Sequence, residues 1–157
     1  MAKSVFYSFH YERDASRVQL VRNINALEGQ PVLGAQEWEA VRGGGDAAVQ
    51  KWIASEMAYK KAVIVLVGQE TAGRPWVNYE INKAWTDGKP LLGVRIHGLS
   101  SFGTADRAGA SPFAAQSGIP LFDPTVTDPY GKIDTKATYN RLVRDLESWS
   151  AQGVVRK

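Results

Sequence analysis

Glu80 is the residue whose type and position in this sequence most clearly allow chemistry. It belongs to the stretch RPWVNYEI at residues 74–81, which follows the most apolar segment of the chain at residues 62–68. That segment predicts a buried parallel strand, because β-branched residues fall on both of its faces and a glycine ends it. A helix is predicted to begin at Pro75, where a missing N–H group costs nothing. Glu80 would then face the crevice above the strand ends, where open α/β sheets bind ligands. The simpler alternative is an ordinary solvated glutamate.

Several common kinds of catalytic site are excluded. The chain has no cysteine, which removes thiol nucleophiles, disulfides and thiolate metal sites. Two histidines, His10 and His97, are too few for a convincing metal site, and none is predicted. The strand at 62–68 does not end in the acceptor aspartate of a phosphate receiver, and neither a Walker motif nor a Gly-x-Ser-x-Gly elbow occurs. The glycines at 43–45 lack the dinucleotide fingerprint and are interpreted as a flexible loop. A flavin site is possible for the fold, but a fold alone does not justify assigning one.

A lone carboxylate beside aromatic residues can cleave an N-glycosidic bond when the leaving group needs no proton. Nicotinamide in NAD⁺ is such a group, because it departs from a cationic pyridinium and leaves neutral. The remaining demand is to stabilise an oxocarbenium-like ribose. Aromatic walls could stack on the nicotinamide or adenine ring, and donors after the first strand could hold ribose or diphosphate. The candidate walls are Phe9, Trp38 and Trp76, and the candidate donors are Ser8, His10 and Arg13. Each of the six could instead be an ordinary packing or turn residue.

The elements that must position these residues alternate between strand and helix. This alternation predicts an α/β fold over residues 1–157, a flavodoxin-like three-layer sandwich with five parallel strands in the order 2-1-3-4-5. That order places the turn after Phe9 beside the loop after Gly68. A long irregular segment at about 98–134 is expected to be functional or mobile. Strands are predicted at 3–9, 31–34, 62–68, 91–96 and 119–122, helices at about 14–28, from Asp46, from Pro75 and at 135–150, and a loop at 35–45.

The composition is that of a globular chain. Hydrophobic residues make up 44% and charged residues 22%, and the net charge of +3 comes from scattered Lys and Arg, so no nucleic-acid partner is expected. The positive charge suits a small molecule that carries phosphate. No apolar run has membrane-spanning length and no signal peptide is indicated, so no membrane partner and a cytoplasmic location are expected.

Two stretches resemble a known family. They are SVFYSFHYERD at residues 4–14 and TAGRPWVNYEINKAW at residues 71–85. The chain is similar there to the TIR-like domains of bacterial defence, and most closely to the TIR-like sensors of the Thoeris anti-phage system. The second stretch resembles the TIR pattern of a hydroxyl residue, a tryptophan, a small apolar residue, two variable residues, the catalytic glutamate and an aliphatic residue. Thr71, the hydroxyl residue, stands five positions before Trp76. The resemblance covers about residues 3–97.

This resemblance implies an NAD⁺ glycohydrolase or ADP-ribosyl cyclase with Glu80 as the catalytic residue. NAD⁺ would be the substrate, with no further cofactor, and the product a signalling nucleotide derived from ADP-ribose, in cyclic or conjugated form. That nucleotide would switch on a partner effector protein during phage infection. Activity could require a homo-oligomer or a phage-protein trigger. The loops at 35–45 and 98–118 would exclude water from the ribose.

Two other functions stay open at this stage. A non-catalytic TIR-like module could signal by protein–protein assembly alone, although a scaffold has no need of a carboxylate at position 80. A nucleoside glycosidase or deoxyribosyltransferase also uses a glutamate on a related fold. The second carboxylate that it needs near the ribose is not identifiable in the sequence.

Overall fold

The sheet has the predicted order and direction. The computed structural model describes residues 3–156, apart from the Ala35 side chain. Within that range, five parallel strands lie in the order β2-β1-β3-β4-β5. The strands are β1 (Lys3–Ser8), β2 (Leu27–Gly29), β3 (Ala62–Val67), β4 (Leu91–Arg95) and β5 (Leu121–Phe122). The helices are α1 (Tyr11–Asn23), α2 (Ala35–Gly43), α3 (Asp46–Met57), α4 (Pro75–Thr86) and α5 (Thr135–Ser150).

Two apolar layers cover the two faces of the sheet. All six residues of β3 are buried, and they alternate between the layers. Ile64 packs with α1 and α5, whereas Val65 packs with α3 and α4. Helices therefore cover both faces, which confirms the three-layer α/β fold. The continuous apolar sequence of β3 is what a strand buried on both sides requires.

The edge of the sheet at β2 differs from the prediction. Helix α1 ends at Asn23 instead of continuing to about residue 28, and Asn25 adopts a left-handed backbone with φ 61°. Leu27 therefore begins the second strand, which had been predicted at residues 31–34. Asparagine tolerates the left-handed conformation, so it can end a helix where the apolar period alone would continue it. Position 29 of this strand requires glycine, because a Cβ there would overlap the Tyr7 ring.

The predicted loop at 35–45 is also wrong, since most of it forms α2. The Glu37 carboxylate accepts the Gly34 N–H at 3.2 Å and stabilises the start of that helix. Gly45, with φ 86°, then separates α2 from α3 and is the N-cap of α3, which begins at Asp46 as predicted. The run of three glycines had led to the prediction of a loop, although residues 35–43 form a helix that carries Trp38 toward the sheet.

The segment after β4 is irregular, as predicted, and Arg17 of α1 ties it down. Arg17 is only 3% exposed. Its guanidinium donates to the carbonyls of Leu99 at 2.9 Å and Thr104 at 3.0 Å and to the carboxylate of Asp106 at 3.0 Å.

The helix that follows, α5, has the predicted bounds. Its inward row includes Leu142 and Leu146, whereas Val143 is 44% exposed.

Among residues 3–156, no helix combines the length and apolar character that crossing a membrane requires.

We expect Gly29→Ala to destabilise the protein by roughly 1–3 kcal/mol, because the new methyl group would overlap the buried Tyr7 ring. Gly43→Ala is the matched control, since a Cβ there meets nothing within 4 Å at the end of α2. Urea unfolding of both variants measures the difference. Equal stability of the two variants would contradict this packing of Tyr7 on Gly29.

Candidate active site

A cavity of about 290 Å³ opens at the carboxyl end of β1. Its walls come from β1 and the turn after it, the end of β2, the inner faces of α2 and α3, and the first two turns of α4. The residues that line it are Tyr7, Phe9, His10, Tyr11, Glu12, Gln30, Trp38, Arg42, Trp52, Arg74, Pro75, Trp76, Val77 and Glu80. This is the crevice at which the strand order reverses, where ligands of such sheets bind.

Glu80 is the buried carboxyl group of this cavity. It is 7% exposed and lies in the buried row of α4 with Val77, Ile81 and Ala84. The Ser8 hydroxyl donates a hydrogen bond to Glu80 Oε1 at 2.7 Å. Burial raises the pKa of Glu80 to about 8, and the hydrogen bond from Ser8 opposes that rise. The carboxyl group therefore titrates near neutral pH, and a positively charged ligand beside it would favour its ionised form.

Aromatic rings form a continuous row along one side of the cavity. Tyr11 contacts Phe9, with ring centroids 5.9 Å apart, and Trp38, with centroids 5.0 Å apart. Trp38 then meets the edge of Trp52 at 6.0 Å. Trp76 reaches the cavity from α4 and packs edge-on against Tyr79 at 5.6 Å. Such rings offer faces to a planar heterocycle and keep water away from it.

Two polar nitrogens on the cavity residues are buried without a hydrogen-bond partner among the described residues. They are Nδ1 of His10 and Nε1 of Trp38. Burial is the main cause that lowers the pKa of His10, and the nearby positive charge of Arg74 lowers it further. The imidazole is therefore neutral at pH 7. Buried polar atoms are normally paired, so a ligand in this cavity is a candidate partner for both.

Two arginines bring positive charge to the cavity. Arg42 of α2 pairs with Glu12 at 2.9 Å, and Arg74 pairs with Glu70 at 3.2 Å. Their side chains are 44% and 42% exposed, so both guanidinium groups can also reach an anion in solvent. Within residues 3–156, the histidines and carboxylates form no cluster of three that could hold a metal ion.

The structure brings five of the seven predicted site residues together in the cavity: Glu80, Phe9, His10, Trp38 and Trp76. The other two, Ser8 and Arg13, do not line it. Ser8 is completely buried and lies behind Glu80. Arg13 forms ion pairs with Glu70 at 2.6 Å and Asp106 at 3.3 Å. A residue that contacts substrate needs an open side, which a fully buried hydroxyl lacks.

The hydroxyl residue of the resemblance has a structural contact. Thr71 is completely buried, and its Oγ1 accepts the Gly68 N–H at 2.7 Å. The hydroxyl that reaches Glu80 comes from β1 instead. Sequence reasoning also missed nine lining residues, of which Arg42 was hidden by the loop predicted in place of α2 and Gln30 by the displaced β2. They are Tyr7, Tyr11, Glu12, Gln30, Arg42, Trp52, Arg74, Pro75 and Val77.

The 98–118 segment was expected to shield the ribose, and no residue of that segment lines the cavity. Its residues 103–107 line a separate groove of about 760 Å³ with residues 132–135. None of the predicted site residues and no aromatic residue borders that groove, so its larger size does not make it the better site. The Arg17 contacts hold residues 99–106 of the segment against α1, whereas Phe113 packs in the layer of α3 and α4.

Two comparisons with known proteins show what the chain is similar to. Residues 6–101 match the family described as Thoeris protein ThsB, TIR-like domain, a range that contains every residue of the cavity. The chain is also 34% identical over 119 residues to a protein of Bacillus cereus (strain MSX-D12) named "Putative cyclic ADP-D-ribose synthase ThsB1". The alignment covers 72% of this chain and 62% of that relative, so the chain spans less than two thirds of the relative's length. The resemblance inferred from residues 4–14 and 71–85 is confirmed.

We expect Glu80→Gln to stabilise the protein increasingly as the pH rises. The pKa of Glu80 in the folded protein lies above the ordinary value of 4.5. Below pH 4.5 the carboxyl group is neutral in both states and costs the parent protein no stability, and the parent then loses stability as the pH rises toward about 8. The variant should gain about 1.4 kcal/mol per pH unit over this window, or about 3 kcal/mol at pH 7.

Urea unfolding of the parent protein and the variant from pH 4 to 9 measures this gain. The difference between them removes the contribution of Asp14, a buried carboxyl group whose pKa is also raised by burial, to about 6. A stability difference that does not vary with pH would show that Glu80 is not a desolvated carboxyl group.

Proposed function

The chain belongs to the TIR-like domain family of the Thoeris protein ThsB, and on that basis we propose that it is an NAD⁺-consuming enzyme. It cleaves the bond between nicotinamide and ribose and makes a signalling nucleotide derived from ADP-ribose. The cyclic form of that nucleotide is the product named for its Bacillus cereus relative. The observation that carries the proposal is a buried carboxyl group, Glu80, beside an aromatic cavity with two arginines.

The charge on NAD⁺ fits the unusual state of Glu80. The pyridinium ring and the sugar that becomes cationic as the bond breaks both favour an ionised neighbour, and this attraction is stronger in a dry cavity than in water. Binding therefore releases a proton from Glu80. When the glycosidic bond breaks, its electron pair stays on the nicotinamide nitrogen, and the carboxylate stabilises the positive charge left on the ribose. No proton has to reach the leaving group, so one carboxyl group is enough.

The cavity walls suit the other parts of the substrate. The aromatic row from Phe9 to Trp52 and the separate ring of Trp76 provide stacking surfaces for nicotinamide or adenine. Arg42 and Arg74 take the role in diphosphate binding that sequence reasoning gave to Arg13. His10 supplies a neutral imidazole next to the bound nucleotide.

Exclusion of water favours transfer of ADP-ribose to a nucleophile within the same molecule, which gives a cyclic product. The indole of Trp38 on α2, which is 9% exposed, provides part of this exclusion, instead of the 98–118 segment. NAD⁺ acts here as a substrate, and the chemistry calls for no further cofactor. The product would reach a separate effector protein, and a second copy of the chain or a phage protein would start the reaction.

The two alternative functions are less consistent with the site. A purely structural TIR-like module gains nothing from burying a carboxyl group, which lowers stability at neutral pH, whereas catalytic sites commonly contain such groups. A deoxyribosyltransferase would need a second carboxylate near the ribose. Glu12 is the other carboxylate of the cavity, but it is 64% exposed and paired with Arg42.

We expect Glu80→Gln to reduce nicotinamide release from NAD⁺ at least about 100-fold, because the neutral amide cannot stabilise the cationic ribose. Liquid chromatography with mass spectrometry of the products, with and without extract of phage-infected cells, provides the measurement. Glu147→Gln is the matched control, because Glu147 is exposed on α5 and away from the cavity. Equal release by parent and Glu80→Gln, or no release from the parent under either condition, would contradict the proposal.

We expect Arg42→Met and Arg74→Met each to raise the KM for NAD⁺ about tenfold, with a smaller effect on kcat, since each removes one contact with the diphosphate. Arg141→Met is the control. Its side chain is 43% exposed, close to the 44% of Arg42 and the 42% of Arg74, but it lies on α5, away from the cavity. Initial rates over a range of NAD⁺ concentrations give both constants. An unchanged KM in both cavity variants would place the diphosphate elsewhere.

A further inference from the structure

A side chain replaces a strand at the carboxyl end of β1. The pairing of β2 with β1 ends at Val5 and Gly29, although β1 continues to Ser8. Beyond that point the Gln30 amide makes both hydrogen bonds that a neighbouring strand would make. Its Oε1 accepts the Tyr7 N–H at 2.9 Å, and its Nε2 donates to the Tyr7 carbonyl at 2.7 Å.

This substitution opens the cavity without leaving backbone groups unpaired. Gln30 is 4% exposed and borders the cavity, while the backbone leaves the sheet at Pro31, which has no N–H to continue the ladder. A longer β2 would pair with Tyr7 directly and keep its own backbone beside β1. The buried donor and acceptor of Tyr7 still need partners, and Gln30 supplies them.

The next residue connects this contact to the carboxyl group. The Tyr7 carbonyl belongs to the same planar peptide unit as the Ser8 nitrogen, so holding one fixes the orientation of the other. On its other side Ser8 pairs with Val65 of β3. Its hydroxyl then occupies one oxygen of Glu80 at 2.7 Å and leaves the other oxygen for a ligand.

We infer that Gln30 is a positioning residue for Glu80: its amide replaces the missing strand beside Tyr7 and thereby fixes the Ser8 hydroxyl that holds the carboxyl group. The effect on catalysis rests on the proposed NAD⁺ chemistry. The effect on the carboxyl group itself does not, because it follows from the hydrogen bonds alone.

Loss of the Gln30 amide should raise the pKa of Glu80, because the hydrogen bond from Ser8 favours the ionised form and would weaken. The other charged or titratable side chains of the cavity are His10 and Tyr11 before and within α1, Glu12 of α1, Arg42 of α2, Arg74 before α4 and Tyr7 of β1. The Gln30 amide hydrogen-bonds to the backbone of Tyr7 and, within residues 3–156, to none of these side chains.

The test is the titration of the Glu80 carboxyl carbon by ¹³C NMR, assigned by its absence in Glu80→Gln. We expect its midpoint to rise by roughly half to one pH unit in both Gln30→Met and Ser8→Ala, the equivalent of one hydrogen bond. The double variant should show no larger shift than Ser8→Ala, because both changes remove the same contact. Gln36→Met, an exposed position on α2, is the control and should leave the midpoint unchanged.

An unchanged midpoint in Gln30→Met, when Ser8→Ala shifts it, would overturn the inference, as would additive shifts in the double variant. If Gln30→Met does not fold, Gln30→Asn keeps the amide but is one methylene shorter, and the same outcomes decide. In active protein the pH profile of kcat should shift with the NMR midpoint. A parent protein that never consumes NAD⁺ would refute the proposed function, while the titration would still decide the role of Gln30.

Discussion

One unfavourable burial shapes this protein: the Glu80 carboxyl group lies on the buried face of α4 and accepts a hydrogen bond from one hydroxyl group, that of Ser8. Removal from water raises its pKa to about 8, so the ligand-free group is mostly neutral at pH 7. A carboxyl group in this state is stabilised as an anion only when a positive charge arrives beside it. The cavity thus favours a cationic ligand over a neutral one.

The cavity exists because the sheet is incomplete on one side of β1. Strand β2 is short, Gln30 closes the hydrogen bonds that it leaves, and α2 places Trp38 over the opening. Together these features leave a cavity between the edge of the sheet and α4. A polar side chain used in place of a strand is what lets the backbone diverge without an unpaired buried group.

Ion pairs on the other side of α1 hold the first part of the long segment after β4 against that helix. Arg17 and Arg13 both contact Asp106, and Glu70 is shared between Arg13 and Arg74. The positive charge of Arg13 is therefore held in a network outside the cavity. Through Glu70, that network also reaches Arg74 at the cavity.

The sequence by itself determined the α/β class, the strand order and the place of Glu80, because the continuous apolar run of β3 and the proline at the start of α4 are strong local signals. It did not reveal the bounds of β2 or the existence of α2, since Asn25 and the glycines at 43–45 changed the backbone path where apolar periodicity was weak. Tertiary structure alone decided the partners of each polar group. Ser8 contacts Glu80, 72 positions away, and Gln30 contacts Tyr7, 23 positions away. Arg13 forms ion pairs with Glu70 and Asp106. Such contacts depend on the packing of distant segments, which no local pattern encodes.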